Sequence, residues 1–175
     1  MTAHEGVAAL SVRELARSVG LRQQSLTYYF PTKNELLDAM FADGFADLQS
    51  KFDQLAPADD PGAGVVEVAV AFVDYCVANP PRYHLMFQGT VPGFEPSEQS
   101  QLVALNVLGV LLERLAAAGV VEANDVALVR CMMSGLAAEQ IANDPHGRMF
   151  ADQTRRAIRY ILGALGDETT GARPG

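Results

Sequence analysis

The sequence predicts an all-α fold in two parts, a short N-terminal helical module followed by a larger helical bundle. Three observations carry this expectation. Apolar residues recur at three- and four-residue intervals, and there is no sustained period-two alternation. Two capping boxes stand close together near the start, Ser11-Val12-Arg13-Glu14 and Thr32-Lys33-Asn34-Glu35. In each, a hydroxyl and a carboxylate three residues apart can satisfy backbone donors at a helix start. Finally, APADDPGAG, residues 56–64, interrupts the helical pattern with proline and glycine.

Leu10 and Leu15 flank the first box at the positions of a hydrophobic staple, as Pro31 and Leu36 flank the second. Gly20 provides the break after the first of these helices, where a tight turn favours a positive φ. The helix from about Thr32 to about Leu55 carries Leu36, Leu37, Met40, Phe41, Phe45, Leu48 and Phe52. After it, APADDPGAG reads as a flexible linker. The next helix, about 64–78, is apolar nearly all round and belongs at the centre of a bundle. Asn79-Pro80-Pro81 ends it, since proline disfavours helix at the preceding residue. The short apolar piece RYHLMF then leads into the loop GTVPGFEPS. Ser97 caps a long helix reaching about Ala118, which Gly119 stops. Asn124 or Asp125 starts another, ending near Asn143 before DPHG. The last helix, about 148–165, has Phe150, Ala157, Ile158, Ile161 and Leu165 on one face. Asp152, Arg155, Arg156 and Arg159 lie on the other, with Asp152 and Arg156 at pairing distance in sequence. The expected domains are therefore 1–55 and 64–165, with a disordered tail at 166–175.

Composition excludes several classes. With 49% hydrophobic residues in 175, the chain can bury a sizeable core and is not a disordered sequence. No uninterrupted apolar run approaches the roughly 20 residues of a membrane span. MTAHEGVAAL lacks the basic start and apolar centre of a signal peptide. Cys76 and Cys131 fall inside apolar helical patterns and read as small core fillers. They have no metal-type spacing, and His84 and His146 lack partners at ligand spacing, so no metal and no cofactor is expected. Glu67 and Asp74, seven apart on one stripe, read as solvent-facing or capping groups rather than a catalytic pair. With no nucleophile–base pair, an enzyme is not expected, and the economical reading is a reduced, cytoplasmic protein.

Between the two boxes the spacing becomes specific. Leu15, Ala16, Val19, Gly20, Leu21 and Leu26 fit a helix-turn-helix, with Ala where helices touch and Gly in the turn. Such a unit lays its second helix in the DNA major groove. With Leu26 and Phe30 inward, Gln23, Gln24, Thr27 and Tyr28 project outward from a helix starting near Arg22. Gln can pair bidentately with adenine, Thr can contact a thymine methyl, and Arg can read guanine. Tyr hydroxyls and Lys suit phosphate oxygens. Residues 11–33 hold four cations against Glu14, a local charge of +3, leaving −11 for the rest of a chain whose net charge is −8. A small basic face on an acidic body can bind DNA while resisting non-specific adhesion.

At these residues, SVRELARSVGLRQQSLTYYFPTKNELL resembles the DNA-binding signature of the TetR (tetracycline repressor-like) family of bacterial transcriptional regulators, in register over 27 residues. The resemblance implies a helical homodimer with a variable C-terminal ligand-binding and dimerisation domain, repressing transcription until a small molecule binds. It assigns base reading to Arg13, Gln23, Gln24 and Thr27, and phosphate contact to Ser11, Tyr28, Tyr29 and Lys33. Three departures stand out. Arg22 occupies the position where members usually carry an N-capping residue, and is a DNA-contact candidate instead. Thr27 replaces a commoner aromatic. MTAHEGVAAL matches only the end of the family's first helix, so the expectation is a start assigned too late or a truncated chain. The alternative is a small-molecule-binding helical dimer that has lost DNA binding.

For the second domain, the resemblance implies an effector cavity within an apolar, Met-rich core that suits a lipophilic small molecule. The candidates to line it are Phe72, Tyr75, Cys76, Met86, Phe87, Leu105, Leu108, Met132 and Met133. NPPRYHLMFQGTVPGFEPS also resembles effector domains of actinobacterial members. The last two helices combine Gly135, Ala137, Ala138 and Ala142 with an apolar stripe, and could form half of an intersubunit four-helix bundle. A two-fold homodimer built this way would meet a palindromic double-stranded DNA operator. The long helix from Thr32 would be the lever between the two sites.

Overall fold

The computed structural model describes residues 29–89 and 91–170, with side chains to residue 166. Six α-helices stand among the described residues: α1 (Lys33–Asp53), α2 (Pro61–Ala78), α3 (Pro80–Phe87), α4 (Glu98–Ala117), α5 (Ala123–Asn143) and α6 (Thr154–Thr170). A 3-10 turn, Ala151–Gln153, leads into α6. The all-α expectation is met, and each boundary has an identifiable cause.

The stretch expected as a flexible linker yields its second half to helix. α2 begins at Pro61, because Asp60 Oδ2 accepts from Ala63 N–H at 2.7 Å and proline suits a first helical turn that needs no donor. Asn79-Pro80-Pro81 does end α2, but it also starts α3. Asn79 Oδ1 accepts from Arg82 N–H at 3.2 Å, and the prolines fill the first helical positions. RYHLMF is therefore helical. Ser97 caps α4 as expected, its Oγ accepting from Ser100 N–H at 3.2 Å. At the other end Gly119, φ +80°, closes a Schellman turn: Val120 N–H donates to Leu115 O at 2.9 Å and Gly119 N–H to Ala116 O at 3.0 Å. α5 starts at Ala123, slightly before the expected Asn124 or Asp125, with no side-chain cap bond from Glu122. α6 starts later than expected, after the 3-10 turn, and runs on to Thr170 instead of ending near 165.

The described residues group into two compact units. The larger takes residues 48–78 and 106 onward. At its centre lies α2, whose Val65, Val66, Val68, Ala69, Val73 and Cys76 are buried, packed against α5 and α6. Ile158 and Leu165 of α6 and Val129, Met133 and Ala137 of α5 complete this core. Glu67 and Asp74 on α2 form ion pairs. Arg155 forks onto Glu67, Nη2 to Oε2 at 3.1 Å, and Arg148 Nη2 donates to Asp74 at 2.8 Å. Asp152 accepts from Arg148 at 2.9 Å, so its ion pair runs to Arg148 and not to Arg156. Arg156 instead lies over the Tyr160 ring, 5.3 Å from its centroid.

The corner between α5 and α6 is built on one fully buried amide. Gln140 Oε1 accepts from Phe150 N–H and Ala151 N–H, each at 2.9 Å, while its Nε2 donates to Gly147 O at 3.1 Å and to Asp144 O. Asp144 in turn accepts from Met149 N–H at 2.8 Å, and this bond, together with the contact from the Gln140 amide, holds its carboxyl below the usual range.

One expectation needs correction: by length and composition α2 and α4 could each cross a membrane. Half of α2 is buried inside the structure, as a core helix is, whereas α4 keeps one apolar face outward.

Gln140→Leu should strand the Phe150 and Ala151 amide donors and lower unfolding free energy by roughly 2–4 kcal/mol. Urea unfolding followed by circular dichroism checks this, and an unchanged midpoint would remove Gln140 as the fastening of the corner.

Candidate nucleic-acid interface

Ser11, Arg13, Arg22, Gln23, Gln24, Thr27 and Tyr28 lie outside the described residues. Tyr29 and Lys33 are described, and both are exposed, Tyr29 to 74% and four residues ahead of Lys33, where α1 begins. At that start the second capping box is formed in both directions. Glu35 N–H donates to Thr32 Oγ1 at 3.1 Å, and Thr32 N–H donates to Glu35 Oε2 at 3.3 Å. Lys33 thus opens a helix N-terminus, where the backbone dipole itself favours an anion such as phosphate.

What holds this end of α1 belongs to the smaller unit, residues to 47 and 79–105. Leu36, Leu37, Phe41 and Phe45 turn inward. Phe41 and Phe45 stack at 4.8 Å between centroids, Phe45 meets Phe87 at 5.2 Å, and Phe41 meets Phe94 edge-on at 6.2 Å. Gly44 lets α3 come close, since a Cβ there would stand 2.6 Å from Met86 Sδ.

Polar ties reinforce the apolar ones. Arg82 on α3 spans two carboxylates of α1, Nη2 to Asp43 at 2.7 Å and Nη1 to Asp47 at 3.1 Å. Asp38 accepts from both the N–H and the hydroxyl of Ser97, each at 2.8 Å, so the residue that caps α4 also grips α1. Partial burial pushes the Asp38 carboxyl up, but the Ser97 and Ser100 hydrogen bonds outweigh it and hold the group below its ordinary value. Asn34 Nδ2 donates to Gly93 O at 3.3 Å. Sequence reasoning missed Arg82 and its two partners. The available signal was Asp43 and Asp47, four apart on the polar side of α1.

The candidate effector residues divide by depth. In the smaller unit Met86 is buried and Phe87 half-buried, while Leu105 is 58% exposed. In the larger one Phe72, Tyr75, Cys76 and Met133 are buried and Leu108 is half-buried, while Met132 is 37% exposed. Burial pushes the Cys76 thiol far up, which keeps it protonated and inert. Cys131 is exposed on α5, so it is not the core filler its apolar context suggested.

The described residues thus present an exposed helix start, with Lys33 at its first position, braced by a helical bundle. Residues 1–40 match the family described as bacterial regulatory proteins, tetR family, and residues 65–165 match the tetracyclin repressor-like C-terminal domain. The chain belongs to the TetR family. Among curated relatives, the HTH-type transcriptional regulators Rv1816 of Mycobacterium tuberculosis and Mb1846 of Mycobacterium bovis are 31% identical over 116 residues. That alignment takes in 64% of this chain, which spans about half the length of these relatives. Among solved structures, the TetR family transcriptional regulator PfmR from Thermus thermophilus superposes with a TM-score of 0.64 at 22% identity, covering 89% of this chain and 88% of that one. The putative regulatory protein SCO4313 gives 0.66 at 20% identity, covering 92% and 89%. At these identities the likeness concerns the fold.

Asp38 gives a testable pH dependence. Its folded-state value is depressed, so its stabilisation is complete above the unfolded value near 3.9 and is lost as pH falls through the folded one. The stability gap between the wild type and Asp38→Ala should therefore be constant from about pH 7 to 5 and shrink below about pH 4. Urea titrations at stepped pH measure it, and a gap that stays constant to about pH 2.5 would contradict the assignment.

Proposed function

We propose that this protein is a ligand-responsive transcriptional regulator, a repressor that binds a palindromic DNA operator as a homodimer in the cytoplasm. The observation carrying the reading is the run LRQQSLTYYF joined directly to a capped helix start that the smaller unit grips from α3 and α4. Gln23, Gln24, Thr27, Arg13 and Arg22 read bases, and Ser11, Tyr28, Tyr29 and Lys33 hold phosphates. Tyr29 and Lys33 are both exposed, Lys33 at a helix N-terminus, which supports that role.

Dimerisation runs through α5 and α6, the last two helices. Gly135, Ala138 and Ala142 are available on the outer side of α5, whereas Ala137 is consumed by the chain's own core. The effector is a lipophilic small molecule taken into the apolar core of residues 64–165. Release is a matter of linkage: a ligand preferring an arrangement in which Asp38–Ser97 and Arg82–Asp43/Asp47 are disturbed weakens operator binding, and DNA weakens ligand binding by the same factor.

Selection of bound sequences from random DNA, followed by fluorescence anisotropy at fixed salt, tests the reading. Gln23→Ala should lose about 1–3 kcal/mol of discrimination at one base pair, and Lys33→Ala should weaken all sequences alike. Failure to enrich any sequence would overturn the regulator. An unchanged base preference in Gln23→Ala would remove that residue from the readers.

A further inference from the structure

We infer that the segment between α3 and α4 positions the proposed phosphate contact of Lys33. The turn at residues 91–94, together with Ser97, sets the rotation of α1 about its own axis, and Gly93 is the residue on which that setting depends. The inference rests on the DNA-binding reading above and names a turn which that reading leaves out.

Along α1, Asn34, Asp38 and Phe41 are four and three residues apart, so they share one side of the helix, beginning one residue after Lys33. Each meets the same segment. Asn34 Nδ2 donates to Gly93 O at 3.3 Å. Asp38 accepts from the N–H and the hydroxyl of Ser97, each at 2.8 Å, and the Phe41 ring meets Phe94 edge-on at 6.2 Å. Apolar packing of Leu36, Leu37 and Phe45 keeps α1 in place but tolerates small rotations, whereas hydrogen bonds at two levels of a rigid helix do not. At the outer radius of a helix, about 5–6 Å, a rotation of about 10° carries a side chain about 1 Å. A shift of that size is enough to break a hydrogen bond to a phosphate oxygen.

The segment is itself fixed from within. Phe94 N–H donates to Val91 O at 3.2 Å, closing a β-turn with Pro92 second and Gly93 third. Gly93 has φ +74°, and proline followed by a positive-φ glycine at these places is the signature of a type II turn. The far end is held by α4. Ser97 Oγ accepts from Ser100 N–H at 3.2 Å, and Gln101 Nε2 donates to Pro96 O at 2.8 Å. The hydroxyl proton of Ser97 goes to Asp38, because a carboxylate can only accept.

Gly93 is where this arrangement can be changed without altering α1. A Cβ at 93 would meet nothing within 4 Å, so a side chain has room and the cost of adding one lies in the left-handed backbone alone. A residue that refuses a positive φ opens the turn and draws the Gly93 carbonyl away from Asn34. The caps at Thr32 and Ser97 and every residue proposed to meet DNA keep their chemistry.

Fluorescence anisotropy on the sequence enriched from random DNA, across a salt series, tests this with the full chain. The proteins are wild type, Gly93→Val, Gly93→Asn, Lys33→Ala and the Gly93→Val/Lys33→Ala double variant. Valine resists a positive φ, whereas asparagine tolerates it. Gly93→Val should weaken binding roughly fivefold at about 0.15 M salt and lower the slope of log affinity against log salt by about 0.9, the signature of one lost phosphate contact. Gly93→Asn should bind within about twofold of wild type. The double variant should bind no more weakly than Lys33→Ala, because both changes remove the same contact. A Gly93→Val protein that matches wild type in affinity and slope overturns the proposal. So does one whose loss multiplies with that of Lys33→Ala, or one that asparagine does not restore, since each marks general damage to the fold. The underlying reading fails differently. A wild type that enriches no sequence overturns the regulator and this inference together, whereas a wild type that binds while Lys33→Ala keeps its salt slope overturns the positioning role alone.

Discussion

The larger unit depends on covering α2. Sixteen of its eighteen residues are uncharged, and the side that bears Val65, Val68, Ala69, Val73 and Cys76 is wholly removed from solvent. Burying such a helix releases apolar surface worth roughly 25 cal/mol per Å², which far exceeds what any single surface ion pair contributes. The two acids it does carry, Glu67 and Asp74, are placed a heptad apart, so they share one stripe and leave the rest apolar. That stripe meets Arg155 and Arg148, which come from α6 and the turn before it. The ion pairs are half exposed and add little to stability. Their effect is to choose one rotational setting of α2 among several that an almost uniformly apolar surface would accept.

The same logic explains why a buried glutamine fastens the α5–α6 corner. α5 packs its Val129, Met133 and Ala137 against the core, and the chain must then reverse through DPHG without burying unpaired amides. One side chain solves this, because an amide carries both a donor and an acceptor group and Gln140 is long enough to reach Gly147, Phe150 and Ala151. A hydrophobic residue in its place would fill the volume but satisfy nothing.

Much of the fold is legible in the sequence because local chemistry and tertiary structure agree. Both the Thr32 box and the Ser97 cap form, and Gly119 stops its helix through a positive φ that only glycine adopts without strain. The misreadings fall where one residue serves two elements. Asn79 closes α2 and opens α3, and the proline pair after it reads as a stop although it is also a good start. The 3-10 turn before α6 depends on Gln140, eleven residues upstream of Ala151, and no helical or turn periodicity links residues at that separation across DPHG. Arg82 illustrates the limit for the site. The acids at 43 and 47 are visible as an i, i+4 pair, but their cation comes from thirty-five residues away, and only the close approach at Gly44 brings it there.

Phase is the remaining difficulty, and it bears on function. A helix with one apolar face announces which residues turn inward. α4 and α5 have apolar residues on two opposite faces, so hydrophobicity cannot distinguish Leu111, which is buried, from Leu112, which is 40% exposed. The effector candidates inherit that ambiguity, which is why Leu105 and Met132 stand outside while Phe72, Tyr75 and Met133 stand inside. The residues proposed to meet DNA escape it in the sequence because recognition is written in polar residue types, glutamine, threonine, tyrosine and lysine, whose clustering between two capping-box sequences has no use in a core.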